Sequence, residues 1–263
     1  MHKNISVAVA TRHRWQPMKE FVDSFMNTTD YNFSGRPALT MLLDSPDKLH
    51  TDYTLSENDF LTSTFSEDYI RSVLIPEKSG LAELWNWCVM LAPTDWVLIC
   101  NDDATFKPGW LEYLEEQIAT DKFDMIHLLH YGGMCLHKRL ILKMGWFDEN
   151  FRGGGFEDND HQLRIFESGI KDRINRTQDY KFMDHHKDVS KNGSWRGENN
   201  APWLCQKWGR RSYTNFRIPS FRRQGEVDWH PAYTKKYEEK YGIKSQIEII
   251  NKDMIDSNKE IYH

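Results

Sequence analysis

Apolar residues occur along this chain in two rhythms. Short runs rich in apolar residues at 5–10, 38–43, 69–75, 95–100 and 123–129 read as strands, the one at 95–100 a continuous apolar strand after its first residue. Between them the spacing turns helical. Phe21, Val22, Phe25 and Met26 share one face after Pro17, which suits a first helical turn. Leu81, Leu84, Trp85, Cys88 and Leu91 repeat the pattern, and Pro108 opens a further helix that runs to about Ala119. Residues 45–66 are polar and irregular and read as a long loop, and no internal repeat is evident. Strands alternating with helices predict an α/β layer structure around a largely parallel sheet. In such sheets ligands bind beyond the carboxyl ends of the strands. Thr11-Arg12, Asp44 and Asn101-Asp102-Asp103 each follow a predicted strand directly, so they are expected to converge on one rim.

Composition narrows the class. The 263 residues carry 34 Lys+Arg against 39 Asp+Glu, a formal charge of −5, with 39% hydrophobic and 28% charged residues. That balance suits a globular core and argues against a general polyanion binder. Cys88, Cys100, Cys135 and Cys205 stand far apart, so neither a zinc knuckle nor a disulfide framework is supported. The apolar run before Arg12 is too short for a secretion signal or a membrane span, and a cytoplasmic protein is expected. The unusual entry is aromatic: 10 Trp, 11 Tyr and 14 Phe, or 13% of the chain.

Two clusters carry candidate chemistry. Asn101-Asp102-Asp103 emerges from a fully apolar strand, where hard oxygen ligands suit Mg²⁺ or Mn²⁺ and caps or turns also use acids. Gly153-Gly154-Gly155 precedes Glu157, Asp158 and Asp160 at the start of a helix carrying Leu163, Ile165 and Phe166. One of these acids suffices as an N-cap; three within four residues leave a carboxylate over for general-base work. His185 and His186 follow a predicted strand at 180–183, and because adjacent residues of an extended chain face opposite ways, at most one of them would coordinate a metal. The sequence reading favours His186 slightly. Residues 205–225 contain Lys207, Arg210, Arg211, Arg217, Arg222 and Arg223 with no acid, interleaved with Trp208, Tyr213, Phe216 and Phe221. This stretch is either a solvated basic face or a grip for a diphosphate or a polymer.

Together these residues resemble a known family. Asn101-Asp102-Asp103 resembles the DxD element of GT-A glycosyltransferases with Asn in the first position, and Gly80, Asn86 and Ala92 resemble the helix preceding it. Gly132-Gly133, Lys138-Arg139, Gly145-Trp146-Phe147-Asp148-Glu149, Phe151, then Glu157-Asp158-x-Asp160 and Arg164 are similar to the ordered pattern of glycosyltransferase family 2. Lys207-Trp208-Gly209 resembles an element of some members. The resemblance implies a GT-A domain over residues 1–215, a mixed and mainly parallel sheet flanked by helices, with a C-terminal extension over 216–263 near the active site. It further implies a metal-dependent, inverting transferase moving a sugar from a UDP- or GDP-sugar to a hydroxyl of a glycan or other acceptor.

Carried over residue by residue, Thr11, Arg12, Asp44, Asn101 and Asp102 would bind the nucleotide sugar. Asp103 with His185 or His186 would hold Mn²⁺ or Mg²⁺. Asp158 would be the base with Glu157 in support, Asp160 and Arg164 would fix the helix, and Asp148-Glu149 would anchor a turn. Trp146, Gly154 and Gly155 would face the acceptor, as part of an aromatic groove expected from Trp110, Trp146, Phe147, Phe151, Phe156, Trp195, Trp203 and Trp208. The alternative is a non-catalytic or nucleic-acid-directed protein on the same scaffold, its basic aromatic C-terminal region binding a polymer. The retained Asp103 and Glu157-Asp158 argue against it.

Overall fold

The computed structural model describes residues 5–11, 15–29, 38–44, 70–75, 79–185 and 200–208. These all belong to the first of two compact units, Met1–Gln224 and Gly225–His263; the extension expected over 216–263 and the loop expected over 45–66 lie outside the described residues. The strands are β1 (Ile5–Thr11), β2 (Ala38–Asp44), β3 (Ile70–Ile75), β4 (Trp96–Asn101), β5 (Ala104–Phe106), β6 (Met125–His127), β7 (Gly133–His137), β8 (Ile174–Asn175) and β9 (Met183–His185). The helices are α1 (Trp15–Thr28), α2 (Leu81–Leu91), α3 (Trp110–Ala119), α4 (Arg139–Met144), α5 (Glu157–Glu167) and α6 (Ala201–Lys207).

Seven strands form one sheet in the order β3-β2-β1-β4-β7-β6-β8, and β5 pairs with β9 separately. Pairing is parallel from β3 through β4 and between β6 and β8, and antiparallel where β7 joins β4 and β6. The central strand β1 is buried along its whole length, which is why its sequence is a continuous apolar run rather than an alternation. In the same core cluster α1 buries Phe21, Val22 and Phe25, all at 1% exposure or less. Each such side chain stabilises the fold by about 2–3 kcal/mol on burial. Phe21, Phe25, Phe106 and Trp110 meet edge-on or tilted with centroids 4.7–6.1 Å apart, joining α1, β5 and α3.

Three sequence expectations need adjustment, one being the strand expected over 180–183, which is instead β9 at Met183–His185 and so contains His185. The strand expected over 123–129 shortens to β6 because Leu128 and Leu129 both donate their N–H to the Gly133 carbonyl, and Gly132 donates back to Leu129. This tight turn launches β7, a strand that the glycine pair disguised. The helix expected from Pro108 begins at Trp110, with Gly109 in the left-handed region at φ 86°.

Candidate active site

The parallel registers bring the predicted rim together. Ala10 lies opposite Asn101 and Thr11 opposite Leu43, so the carboxyl ends of β1, β2 and β4 coincide. Thr11 Oγ1 donates to Asp102 Oδ2 at 2.7 Å, and Asp102 is 1% exposed. Asp102 therefore ties two strand ends together and faces inward. Asp44 ends β2 on the same rim, while Arg12 lies outside the described residues.

Asp103 points elsewhere. It precedes β5, and the β5–β9 pairing sets Ala104 opposite His185. His185 Nδ1 consequently stands 3.6 Å from Asp103 Oδ1, a charge contact rather than a hydrogen bond. The Asp103 carboxylate raises the pKa of His185 against the opposing effect of burial, with Asp184 adding a smaller pull. The glycine pair makes room for this strand. A Cβ on Gly132 would lie 2.9 Å from His185 Cε1 and 3.4 Å from Asn101 Nδ2, and one on Gly133 would lie 2.7 Å from Met183 Sδ. Asn101 is held by its own N–H to the Gly132 carbonyl at 2.9 Å. His186 lies outside the described residues.

The acid cluster opens α5. Phe156 takes φ 74° at its N-cap without a side-chain cap, and Gly155 stands at φ 104° with open space where a Cβ would project. Asp158 is half-buried; its Oδ1 accepts the Asn159 N–H at 2.8 Å, and burial raises its pKa. Glu157 is 4% exposed, and its Oε2 has no hydrogen-bond partner among the described residues. Burial, and then the charge of Asp158, push Glu157 up to about 7. An acid raised in this way weakens the folded state once it ionises. From the usual carboxyl range near 4.5 up to about 7 the unfolded chain has released this proton and the folded chain has not, so stability falls as pH rises through that window. Glu157→Gln is expected to flatten this fall and to stabilise the protein at pH 8 by up to about 3 kcal/mol. Denaturant unfolding of both proteins at pH 5 and pH 8 measures it, and equal slopes would contradict it.

Asp160 and Asp148 face inward instead. Lys207 Nζ lies 2.9 Å from Asp148 Oδ2 and 2.8 Å from Asp160 Oδ1, with all three side chains at 5% exposure or less. Arg164 Nε pairs with Asp160 Oδ2 at 3.0 Å while its Nη1 donates to the carbonyls of Met144 and Trp146. Trp203 Nε1 donates to Asp148 and Trp208 Nε1 to Asp160. Burial acts to raise the Asp148 pKa, but the charge and hydrogen bond of Lys207 and the Asn150 N–H outweigh it and hold that carboxyl below the usual range. Two buried anions thus meet two buried cations, clamping α6 to α5. The expected turn anchors behave likewise: Asn86 exchanges two hydrogen bonds with the Phe147 backbone at 2.9 Å and donates to Glu149. Lys207 belongs to this clamp and not to a solvent-facing basic stripe; the rest of that stripe, from Gly209 onward, lies outside the described residues.

The aromatic groove is corrected. Trp110, Trp146, Phe147, Phe151 and Trp208 are all 3% exposed or less, so their ring faces pack against protein and cannot stack on a sugar. Trp146 is therefore no acceptor platform. Phe156 and Trp203 are partly buried beside Phe151 and Trp208, and Trp195 lies outside the described residues.

Sequence reading missed a polar network beneath the site. Tyr131 OH lies 2.9 Å from His161 Nδ1, and His127 Nδ1 donates to the His130 carbonyl at 2.8 Å. Burial pushes His127 down to about 3 and holds His161 well below its usual range, so both rings are neutral at physiological pH. Trp85 stacks on Tyr131 and meets Phe147 edge-on. The only linear signal was the cluster His127, His130 and Tyr131 ahead of the glycine pair.

A sequence profile described as glycosyl transferase family 2 matches residues 6–165, more than half of the chain. The chain belongs to glycosyl transferase family 2. Solved structures agree on the GT-A fold of this family 2 domain. The mannosyltransferase PcManGT from Pyrobaculum calidifontis, in complex with GDP-Man and Mn²⁺, superposes with a TM-score of 0.54 at 15% identity, over 67% of this chain and 55% of that one. GalNAc-T7 with UDP, GalNAc and Mn²⁺ gives 0.54 at 11% identity, over 65% and 42%. The chain thus spans about half the length of these proteins, and at such identities the likeness concerns the fold alone. No curated protein matches it in sequence. Among the described residues no helix is long and apolar enough to cross a membrane.

Proposed function

We propose that this family 2 domain transfers a sugar, with inversion, from a nucleoside diphosphate sugar to a hydroxyl acceptor in a reaction that uses Mn²⁺ or Mg²⁺. The observation that carries the reading is the contact of Asp103 with His185 across the β5–β9 pair, just beyond the carboxyl end of β4, supported by Asp158, an acid with a raised pKa in the first turn of α5. The two solved relatives of the same fold hold GDP-Man or UDP together with Mn²⁺, which supports a donor of that class.

The donor set fits such a cation. A carboxylate oxygen and an imidazole nitrogen suit Mn²⁺, and no group of three or more metal-ligating side chains occurs among the described residues. Asp103 and His185 would hold the cation, with oxygens from substrate and water making up the rest of its shell. When bound, the cation neutralises charge that builds on the departing diphosphate. Asp102, already spent on Thr11, orients the rim and does not ligate. Thr11, Arg12, Asp44 and Asn101 serve the nucleoside side. Asp158 takes the proton of the acceptor hydroxyl as its oxygen bonds to the anomeric carbon. The bond from that carbon to the phosphate oxygen breaks, and its electron pair leaves on the nucleoside diphosphate. Glu157, protonated below about pH 7, spares Asp158 a second negative charge.

The test is metal-dependent release of UDP or GDP from a panel of nucleotide sugars. Asp103→Ala is expected to lower the release rate at least about a hundredfold while leaving the melting temperature of the free protein within about 2 °C. Release that is equally fast in the variant would refute the assignment of Asp103. Of the basic stretch behind the polymer-binding alternative, Lys207 is taken up by the buried clamp, and Arg210 to Arg223 lie outside the described residues.

A further inference from the structure

Following the rim in sheet order, β2 and β1 supply the nucleoside side, β4 leads to Asp103, and the 128–132 turn joins β6 to β7. Last comes the turn after β8, which contains Tyr180. That residue combines two unusual features. At 53% exposure it stands apart as the large hydrophobic side chain left open among the described residues. Its backbone sits at φ 64°, in the left-handed region where Gly or Asn is the ordinary choice and a bulky side chain is strained.

The strain is held in place. Tyr180 donates its N–H to the Leu128 carbonyl at 2.9 Å, its own carbonyl accepts from Lys107 Nζ at 3.3 Å, and Asp179 Oδ1 accepts the His130 N–H at 2.5 Å. Two bonds at the residue itself and one at the residue before it fix the backbone from which the ring projects. It projects beside His185, with ring centroids 6.5 Å apart at 57°, and so stands next to the Asp103–His185 pair. The helix that Asp158 opens reaches this side too: His130 of the 128–132 turn donates its N–H to Asp179, and the adjacent Tyr131 hydroxyl lies 2.9 Å from Nδ1 of His161 on α5.

We propose that Tyr180 is the acceptor platform: its exposed face stacks on the apolar C–H face of a pyranose ring in a saccharide acceptor, setting one of that ring's hydroxyls, or a neighbouring one, toward Asp158. An aromatic plane with a fixed orientation suits this, because sugar rings bind aromatic faces through C–H contacts and rigid presentation lowers the ordering cost. The far end of the rim from β1 and β2 is the end the nucleoside does not occupy. This replaces the buried aromatic residues expected from the sequence with one exposed ring. The inference rests on the transferase reading above, and its test separates the two.

Wild type, Tyr180→Ala and Tyr180→Trp are applied to an array of immobilised glycans in the presence of UDP or GDP and Mn²⁺, and nucleotide binding of each is measured separately by calorimetry. The wild type is expected to retain a subset of pyranose-containing glycans. Tyr180→Ala should lose that retention by about tenfold or more, Tyr180→Trp should keep it, and nucleotide affinity should stay within about twofold in all three. Equal retention by wild type and Tyr180→Ala overturns the proposal, as does a wild type that binds nucleotide and retains no glycan. A Tyr180→Ala that loses nucleotide as well places the ring at the donor and overturns it too. A wild type that binds no nucleotide is a failure of the transferase reading instead.

Discussion

Asp158→Asn is expected to lower sugar transfer by about 10²–10⁴ while nucleotide affinity stays within about twofold. The reason lies in the difference between the two neighbouring acids. Asp158 is half-buried with one oxygen engaged by the Asn159 N–H, whereas Glu157 is almost fully enclosed. Asn matches Asp in shape and keeps that backbone bond, but its amide cannot take a proton from an attacking hydroxyl. A general base with a raised pKa also places the acid limb of the rate profile above the usual carboxylate range, because only the ionised form works. The wild-type kcat should therefore fall as pH drops toward that raised value, and the residual activity of Asp158→Asn should lack this limb. Loss of nucleotide binding in the variant would make Asp158 part of the donor site, and unchanged transfer would remove it from the chemistry.

Lys207→Met carries the largest expected effect on stability. Met fills a similar volume and deletes the charge that sits between Asp148 and Asp160 at under 3 Å from each. One buried carboxylate then lacks its compensating cation, and breaking such a pair from one side costs about 3–5 kcal/mol. The sign with pH follows. Without Lys207, burial, the largest influence on Asp148, is opposed by less, the Asn150 N–H and the charge of Arg164, and is expected to raise its pKa above the unfolded value, so the variant gains back stability as pH falls through that raised value. Wild-type Asp148, held low by the clamp, shows the reverse dependence, with stability lost as pH falls through its depressed value. Unfolding in urea at pH 5 and pH 8 should therefore show a deficit that narrows at the lower pH. A deficit independent of pH would mean the loss is one of packing.

The clamp also explains how much was legible beforehand. The strands β1, β2 and β4 stood out because each is buried on both faces over most of its described side chains and so reads as a largely apolar run. Their parallel registers then made the convergence of Thr11, Asp44 and Asn101-Asp102-Asp103 predictable from sequence position alone. What each acid does was not predictable. Asp102 and Asp103 are adjacent, yet one bonds Thr11 beneath the rim and the other faces His185, a split set by where β4 ends and β5 begins. Asp158 and Asp160 differ in the same way, because two residues of helix turn the second toward Lys207.

The aromatic residues misled for a related reason. Position in sequence near the site says nothing about which way a ring points, and Trp146, Phe147 and Phe151 point into protein. Strand β7 was hidden because Gly132 and Gly133 argue against a strand by propensity. Here they are required by the close approach of Met183 and His185, a tertiary demand that overrides propensity. The interest of Tyr180 depends on a backbone angle and an exposure, neither of which a sequence displays.

The central claim is a nucleoside diphosphate site completed by a divalent cation on the Asp103–His185 side of the rim. Isothermal titration of the full chain with UDP and with GDP, each with and without Mn²⁺, tests it most directly. The account predicts saturable binding of at least one nucleotide in the presence of Mn²⁺, weakened by about tenfold or more when the metal is removed. Absence of binding by either nucleotide at any Mn²⁺ concentration, with the protein folded, would contradict it.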